Sequence, residues 1–357
     1  MPNVLSITCL GDIAPVKAAE APIVREPRSV RAYFDTRFAG SEIVFANLEV
    51  PVTSAVAPRE DKKYVFKAMR DVLDAFPDKF VFSIANNHMM DYGEQGLRDT
   101  LEGLTRAGVR FAGAGRNLEE AARPVVIESG GRTVGFLACA DRRYQAATDT
   151  TPGVLPALAD VLVPRIERLR ETVELVYVSI HMGMEYVPVP TPVMRRLADA
   201  CRRAGAHVVF FHHAHCVSGY TVFDDGAILW GTGNYLFPES ADYPFKPWFD
   251  AAAWTVIHGQ DATIRELAIA PFGIDAEGMP RDVEEQRALR IHGRIERLSK
   301  AINRGRSLGW LRMWHVLKPA YLRVACANYW DIARRRGVAQ MAGQILSSIK
   351  GLFLQKK

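Results

Sequence analysis

The sequence has no uninterrupted apolar run of about 18 residues, so no transmembrane helix is expected. Its first residues, MPNVLSITCLGD, lack a basic segment followed by a long apolar stretch, so no signal peptide is expected and folding is predicted to begin at once with a strand. Cysteine is scarce. Cys9, Cys139, Cys201, Cys216 and Cys326 are scattered, odd in number and form no CxxC pair. That argues against a disulfide framework and fits a reducing compartment, so the expected location is cytoplasmic, at most peripheral to a membrane. There is no P-loop and no GxSxG elbow, and Gly113-Ala114-Gly115 lacks the remaining glycine of a dinucleotide site. No repeat, low-complexity tract or nucleic-acid-binding motif is present, and no nucleic-acid partner is expected.

What remains is the composition of an ordinary globular protein, 48% hydrophobic and 24% charged, in a chain of 357 residues that can bury a sizeable core. The net charge of +5 is unevenly spread. From Arg281 onward there are about 17 Lys or Arg against about 5 Asp or Glu, so the preceding body is slightly acidic. The basicity belongs to the tail and says little about a substrate.

Apolar runs at Val4–Leu10, Ile43–Leu48, Phe80–Ala85, Leu175–Ile180 and Val208–Phe211 predict buried strands. Helices are expected at 29–38, 71–76, 95–107, 158–171 (Pro164 near its start) and 192–204, and loop at 15–27. Residues 64–67 are expected as an edge strand. Hairpins are predicted from 121–127 with 133–139, from 220–223 with 227–230, and from 251–258 with 263–270. Strands alternating with helices early, then hairpins late, predict an α/β (α+β mixed) fold with mixed sheets.

One device recurs along the chain. Predicted strands end at Asp12, at Asn47 and Glu49, at Asn87 and His88, at His181, and at His212, His213 and His215. The carboxyl edge of an open α/β sheet is where ligands bind. Three of the nine histidines fall within four residues there. Carboxylate, amide and imidazole donors together suit Mn, Zn or Fe better than Ca, and this many donors is roughly what two ions require. Taken singly, Asp12 and Asn86-Asn87 also suit turns, Glu49 suits solvent and His181 suits a buried core. Cys216 is either a soft ligand or a small buried hydrophobe.

In order, Gly11-Asp12, NLE (47–49), ANNHMMDYGEQGLRDTL (85–101), GAG (113–115), HMGMEY (181–186), HHAH (212–215) and GTGNY (231–235) resemble the capsule synthesis protein CapA family. That family is also called the poly-gamma-glutamate biosynthesis (PGA_cap) family, and it has a calcineurin-like metallophosphoesterase fold. The resemblance covers roughly residues 4–270. It implies a metallophosphatase-like four-layer sandwich of two mixed β-sheets flanked by helices, with the site at one edge. It further implies Asp12, Glu49, Asn87, His181, His213 and His215 as ligands of one or two divalent ions (Mn, Zn or Fe), with His212 competing for one place. His88 is then a catalytic residue near a reacting phosphate. Glu185 is a catalytic acid/base, an orienting group or a simple ion-pair partner. The wider phosphoesterase pattern has a histidine two residues after the first aspartate, where this chain has Ala14. The final histidines follow Phe211 instead of glycine and flank Ala214 instead of proline.

Two domains are expected: a family-like body at 1–275 and a basic, aromatic-rich helical extension at 276–357. In the extension, Trp310, Trp314, Tyr321, Tyr329 and Trp330 alternate with arginines. That pattern suits either contact with a membrane surface or packing on the body. Two functions fit. One is a metal-dependent hydrolase of a phosphoester-like bond in capsule or exopolymer biosynthesis, with a cell-surface polymer or small phosphoester as partner. The other is a non-catalytic accessory or scaffold of polymer assembly or export.

Overall fold

Every residue of strand Val208–His212 is buried, yet alternate side chains enter different cores. Val208 and Phe210 join one apolar cluster, Val209 and Phe211 another. Strand Leu175–His181 divides the same way, with Leu175 and Tyr177 on one side and Val176, Val178 and Ile180 on the other. A strand covered on both faces must divide like this, because its side chains alternate with a period of two, and so its sequence reads as a continuous apolar run. The structure is a computed structural model and describes residues 4–62, 64–238 and 250–305, with isolated positions between 309 and 346.

Among the described residues the strands form two large mixed sheets. The first is eight-stranded, in the order Pro280–Arg281, Ile264–Ile274, Ala251–His258, Leu5–Ile13, Ile43–Leu48, Phe80–Ser83, Arg110–Ala112, with Asn234–Leu236 also paired to Leu5–Ile13. Leu5–Ile13 runs parallel to Ile43–Leu48 and antiparallel to Ala251–His258. The second is six-stranded, in the order Tyr220–Phe223, Gly226–Leu229, Val208–His212, Leu175–His181, Arg132–Ala140, Val125–Ser129. Its four central strands are parallel and its two edge strands are hairpin arms.

The sheets meet through aromatic side chains. Phe45 of the first stacks on Phe136 of the second at 4.0 Å between ring centroids, with Tyr177 at 5.2 Å and Phe210 at 6.3 Å. Helix Pro27–Arg37 sets Phe34 against Phe76 and Phe80 on the first sheet's side. Helices Ala159–Arg170 and Pro192–Arg203 cover the outer face of the second with Leu162, Ile166, Met194 and Leu197. The result is the expected mixed α/β stack of helix, sheet, sheet and helix.

Three local expectations fail for identifiable reasons. Residues 64–67 form no strand, because Asp91 takes the N–H of Phe66 at 2.8 Å and only an isolated bridge joins Val52 to Ala68 nearby. Residues 15–27 are not all loop: they hold a 3-10 turn at Lys17–Ala19 and helix Glu20–Arg25, whose Ile23 is buried. A six-residue helix with one buried side chain is too short to show a period. Pro164 sits inside helix Ala159–Arg170, where burial of Leu162, Ile166 and Leu169 outweighs the forgone backbone bond.

Past residue 275 the first sheet continues to Pro280–Arg281, and helix Glu285–Arg304 lays Ile291, Ile295, Leu298 and Ile302 into the cores. It ends at Gly305, whose φ of 67° is the left-handed conformation that glycine tolerates at a helix end. Both readings of the extension, membrane contact and packing on the body, fall on the aromatic stretch beyond, which lies outside the described residues apart from isolated positions. No described helix is long and apolar enough to cross a membrane.

Candidate metal centre

Strand register brings the donors level. Asp12 pairs with Asn47 on one side and with Asn234 on the other, and in the second sheet His212 pairs with His181. By the two-residue period, Asn47 continues the row of Phe45, His181 that of Tyr177, and His212 that of Phe210. All three therefore emerge from the seam between the sheets at its carboxyl edge. A Cβ on Gly11 would stand 2.1 Å from the carbonyl oxygen of Gly233, so the close approach of Asn234–Leu236 to Asp12 depends on that glycine. The N–H of Asp12 donates to the same carbonyl at 3.0 Å. His213 and His215 have φ of 90° and 52°. Non-glycine residues in that region are held at a cost of about 1–3 kcal/mol each, and such strain clusters at functional sites.

The centre is dry and dense. Asp12, Asn47, Glu49 and His181 are fully buried, and His212, His213, His215 and Asn234 are almost so. Asn47 Nδ2 donates to Asp12 Oδ1 at 2.8 Å and lies 3.2 Å from His181 Nδ1, which ties the two sheets together. His181 Nε2 is 2.8 Å from Asn87 Oδ1 and 3.4 Å from Glu49 Oε1. His215 Nδ1 is 2.9 Å from Asn234 Oδ1, 3.4 Å from Asp12 Oδ2 and 3.8 Å from Glu49 Oε2. Glu49, His213 and His215 each offer a donor atom within 4.8 Å of the others.

Electrostatics distinguishes these groups. Burial pushes Asp12 up, but the hydrogen bond and charge of His212, with His215 and His181 behind it, hold its carboxyl well below the usual range. Glu49 is driven well above that range, by burial first and then by the Asp12 carboxylate beside it. Burial lowers His181 well below 6.5, and lowers His213 to about 3 with help from His215. Two buried carboxylates this close do not both ionise without a cation. Both oxygens of Glu49, Nδ1 of His213 and Nε2 of His212 are buried without a hydrogen-bond partner. Imidazoles that burial disfavours protonating (His181 and His213), crowded carboxylates and partnerless donor atoms are what a divalent ion would satisfy, so the residues present fit one.

Beside this cluster stands a second group of titratable side chains. His88 Nδ1 lies 2.7 Å from Asp91 Oδ2, and Lys62 Nζ lies 3.1 Å from the same nitrogen. Lys62 also donates to the Asn87 carbonyl and to Asp91 Oδ1. Burial and then Lys62 push His88 down to about 4. Burial lowers Lys62 against the pull of Asp91. The Tyr144 hydroxyl lies 3.0 Å from His213 Nε2 and is pushed up by its burial. Glu185 is half-buried at the rim, where its charge further raises Glu49 and Tyr144.

The structure thus brings Asp12, Glu49, Asn87, His88, His181, His213 and His215 to one edge. His212 faces Asp12 Oδ1 at 3.2 Å and Thr232 Oγ1 at 3.1 Å. Cys216 is buried outside the Glu49, His213 and His215 group. Lys62, Asp91, Tyr144 and Asn234 are the additions. Asn234 had a signal, its place in GTGNY after an apolar run. Asp91 follows His88 by three residues in the same block. Lys62 and Tyr144 come from irregular segments and carried none.

Residues 6–239 match the family described as bacterial capsule synthesis protein PGA_cap. The chain is 31% identical over 245 residues to the PGA biosynthesis protein CapA of Bacillus subtilis (strain 168), covering 66% of this chain and 64% of that one. It is 29% identical over 298 residues to the capsule biosynthesis protein CapA of Bacillus anthracis, covering 78% and 69%. The match thus spans less than two thirds of the first relative's length. Among solved structures, it is similar to a 5'-nucleotidase precursor from Thermus thermophilus, with a TM-score of 0.48, 13% identity, and 84% of this chain and 59% of that one covered.

Proposed function

Since the chain belongs to the family of bacterial capsule synthesis proteins PGA_cap, we propose that it takes part in making a capsule-type polymer such as poly-gamma-glutamate, as a metal-dependent hydrolase of a phosphoester-like bond. One observation supports this most. Glu49, His213 and His215 present converging donor atoms in a buried edge where both Glu49 oxygens lack a hydrogen-bond partner. Asp12, Glu49, Asn87, His181, His213 and His215 would hold one or two divalent ions, Mn, Zn or Fe. Such an ion supplies Lewis acidity toward an ester oxygen and lowers the pKa of water.

The chain's own groups do the remaining work. Asp91 holds His88 through Nδ1, which leaves Nε2 to exchange a proton with a substrate oxygen. Lys62 fixes the Asn87–His88 turn from behind. Tyr144 positions His213 through Nε2, and Glu185 adds negative charge at the rim. Seclusion from water strengthens every one of these interactions.

The test is metal analysis of the purified protein together with turnover of an aryl phosphate with and without added Mn. Bound metal and Mn-dependent turnover are expected. Absence of both bound metal and turnover would overturn the reading and leave the fold as a binding scaffold for polymer assembly, the role that Ala14 would favour.

A further inference from the structure

The metal reading leaves one side of Asp12 without a donor from its own strand. Ala14 stands where the wider phosphoesterase pattern has histidine, and it is fully buried with its N–H donating to the Leu236 carbonyl at 2.7 Å. Building on that reading, we propose that Asn234 supplies the missing ligand through its carboxamide oxygen. With Asp12, Glu49 and His215 it would form a donor set of three oxygens and one nitrogen.

The placement is built into the fold. Asn234 opens strand Asn234–Leu236, which runs parallel to Leu5–Ile13 with Asn234 level with Asp12. Gly11 allows that approach, since no side chain fits between it and Gly233. Asn234 is 2% exposed, so its carboxamide does not face solvent. Its Oδ1 lies 2.9 Å from His215 Nδ1, which is 3.4 Å from Asp12 Oδ2 and 3.8 Å from Glu49 Oε2. Donors that each stand about 2.0–2.2 Å from one ion are separated by roughly 3–4 Å. The three oxygens, from Asn234, Asp12 and Glu49, stand around His215 Nδ1 at about that spacing.

The side chain also carries a cost at this place that a role for Oδ1 beyond the fold would offset. Its Nδ2 is buried with no hydrogen-bond partner. An unsatisfied buried donor costs about 1–3 kcal/mol, so a side chain serving only the fold is poorly matched to this place. An amide oxygen is also a harder ligand than the imidazole it would replace, which shifts the Ala14 side of the centre toward Mn and away from Zn.

The test is Mn binding to the full chain, read as stoichiometry and affinity by metal analysis and by electron paramagnetic resonance. Wild type, N234A and the double variant A14H/N234A are compared, and melting in EDTA confirms that each is folded. N234A is expected to weaken one bound ion by tenfold or more, and the double variant to recover it, because Ala14→His returns a donor to that side. An unchanged Mn affinity in N234A would overturn the proposal. Loss in N234A without recovery in a folded double variant would also overturn it, by reducing Asn234 to a group that merely orients His215. Where the double variant does not fold, Mn-loaded protein carrying 13Cγ-labelled asparagine decides: the proposal requires one 13C hyperfine coupling that N234A loses while the coupling from Asn87 remains. Failure of wild type itself to bind Mn would instead overturn the metal reading underneath.

Discussion

Replacing Glu49 by glutamine keeps the side chain's volume and removes one of two carboxyl groups buried side by side. In metal-free protein that pair is unfavourable, because burial and the Asp12 carboxylate both act against an ionised Glu49. E49Q melted in EDTA should therefore be at least as stable as wild type, by an amount on the order of 1 kcal/mol. With metal the sign reverses. An ion present at 100 times its Kd adds about 2.7 kcal/mol to a folded state that binds it. In domains of about 150–250 residues each kcal/mol moves Tm by roughly 2–4 °C, and a chain of 357 residues falls at about the lower value, so wild type should gain about 5 °C on adding Mn. E49Q should lose most of that gain, since an amide replaces a charged donor at the centre of the cluster. Thermal melts of both proteins, each in EDTA and in excess Mn, give four numbers. A lower melting point for E49Q in EDTA combined with a full Mn-induced rise would refute the reasoning, because Glu49 would then serve the fold and not the ion.

Gly11→Ala places a methyl group 2.1 Å from a backbone oxygen that has no way to step aside, so strand Asn234–Leu236 must move. A loss on the order of 3 kcal/mol is expected in urea unfolding, and a loss below 0.5 kcal/mol would contradict the close approach. His258 gives a pH dependence. Its Nδ1–H donates to the Ala262 carbonyl at 3.1 Å, which leaves Nε2 to accept from the Tyr177 hydroxyl at 2.6 Å. Burial pushes its pKa down from 6.5 to about 4, so below 6.5 the unfolded chain takes up a proton that the folded chain refuses. This contribution is whole above pH 6.5 and is lost as pH falls toward 4, on the order of 3 kcal/mol in all. H258Q should flatten that part of the stability curve, and an unchanged slope in urea titrations between about pH 4.5 and 7.5 would count against it. Asp91→Asn weakens the hold on His88 and on Lys62 together, so kcat on an aryl phosphate should fall about tenfold to a hundredfold with metal content unchanged. A parallel loss of metal would place Asp91 in ion binding instead.

The strands and their ends were legible because they obey a rule of local chemistry. A strand buried on both faces shows as an unbroken apolar run, and the polar residue that ends it marks the sheet's carboxyl edge. Asp12, Glu49, His181 and the His212–His215 cluster were all found that way. Asn234 was visible as part of GTGNY, but nothing local says that its three-residue strand returns to lie beside Asp12, more than 200 positions earlier in the chain. Lys62 and Tyr144 were invisible for the same reason. Each sits in an irregular segment without periodicity, and each earns its place through contacts made only in the folded state, with Asp91 and with His213. The failure at residues 64–67 belongs here too, since Asp91 draws the Phe66 N–H into a side-chain bond that alternation of residue types does not encode.

The centre is divided between two sheets, and this decides what controls its geometry. Asp12 and Asn47 come from the first sheet, His181 and the His212–His215 segment from the second. One direct tie across the seam runs through Asn47, between Asp12 Oδ1 and His181 Nδ1, and another joins the His213 N–H to Asp12 Oδ2. Two positions behind these donors, about 6.6 Å along each strand, lie Phe45 and Phe210, with Phe136 stacked on Phe45. Protein interiors pack too densely for such a layer to yield without the strands shifting. The separation of the two halves of the donor set is therefore fixed by the thickness of this aromatic layer. A change of volume at Phe45 or Phe136 is expected to alter the distance between the proposed ligands on opposite sheets. A change of equal size at Val209 or Ile180 falls on the outer core, between the second sheet and its helices, and leaves that distance alone. On this view the aromatic seam acts as the spacer of the site, and the strict alternation of its strands is what allows the same run of residues to build the core and then end in donors.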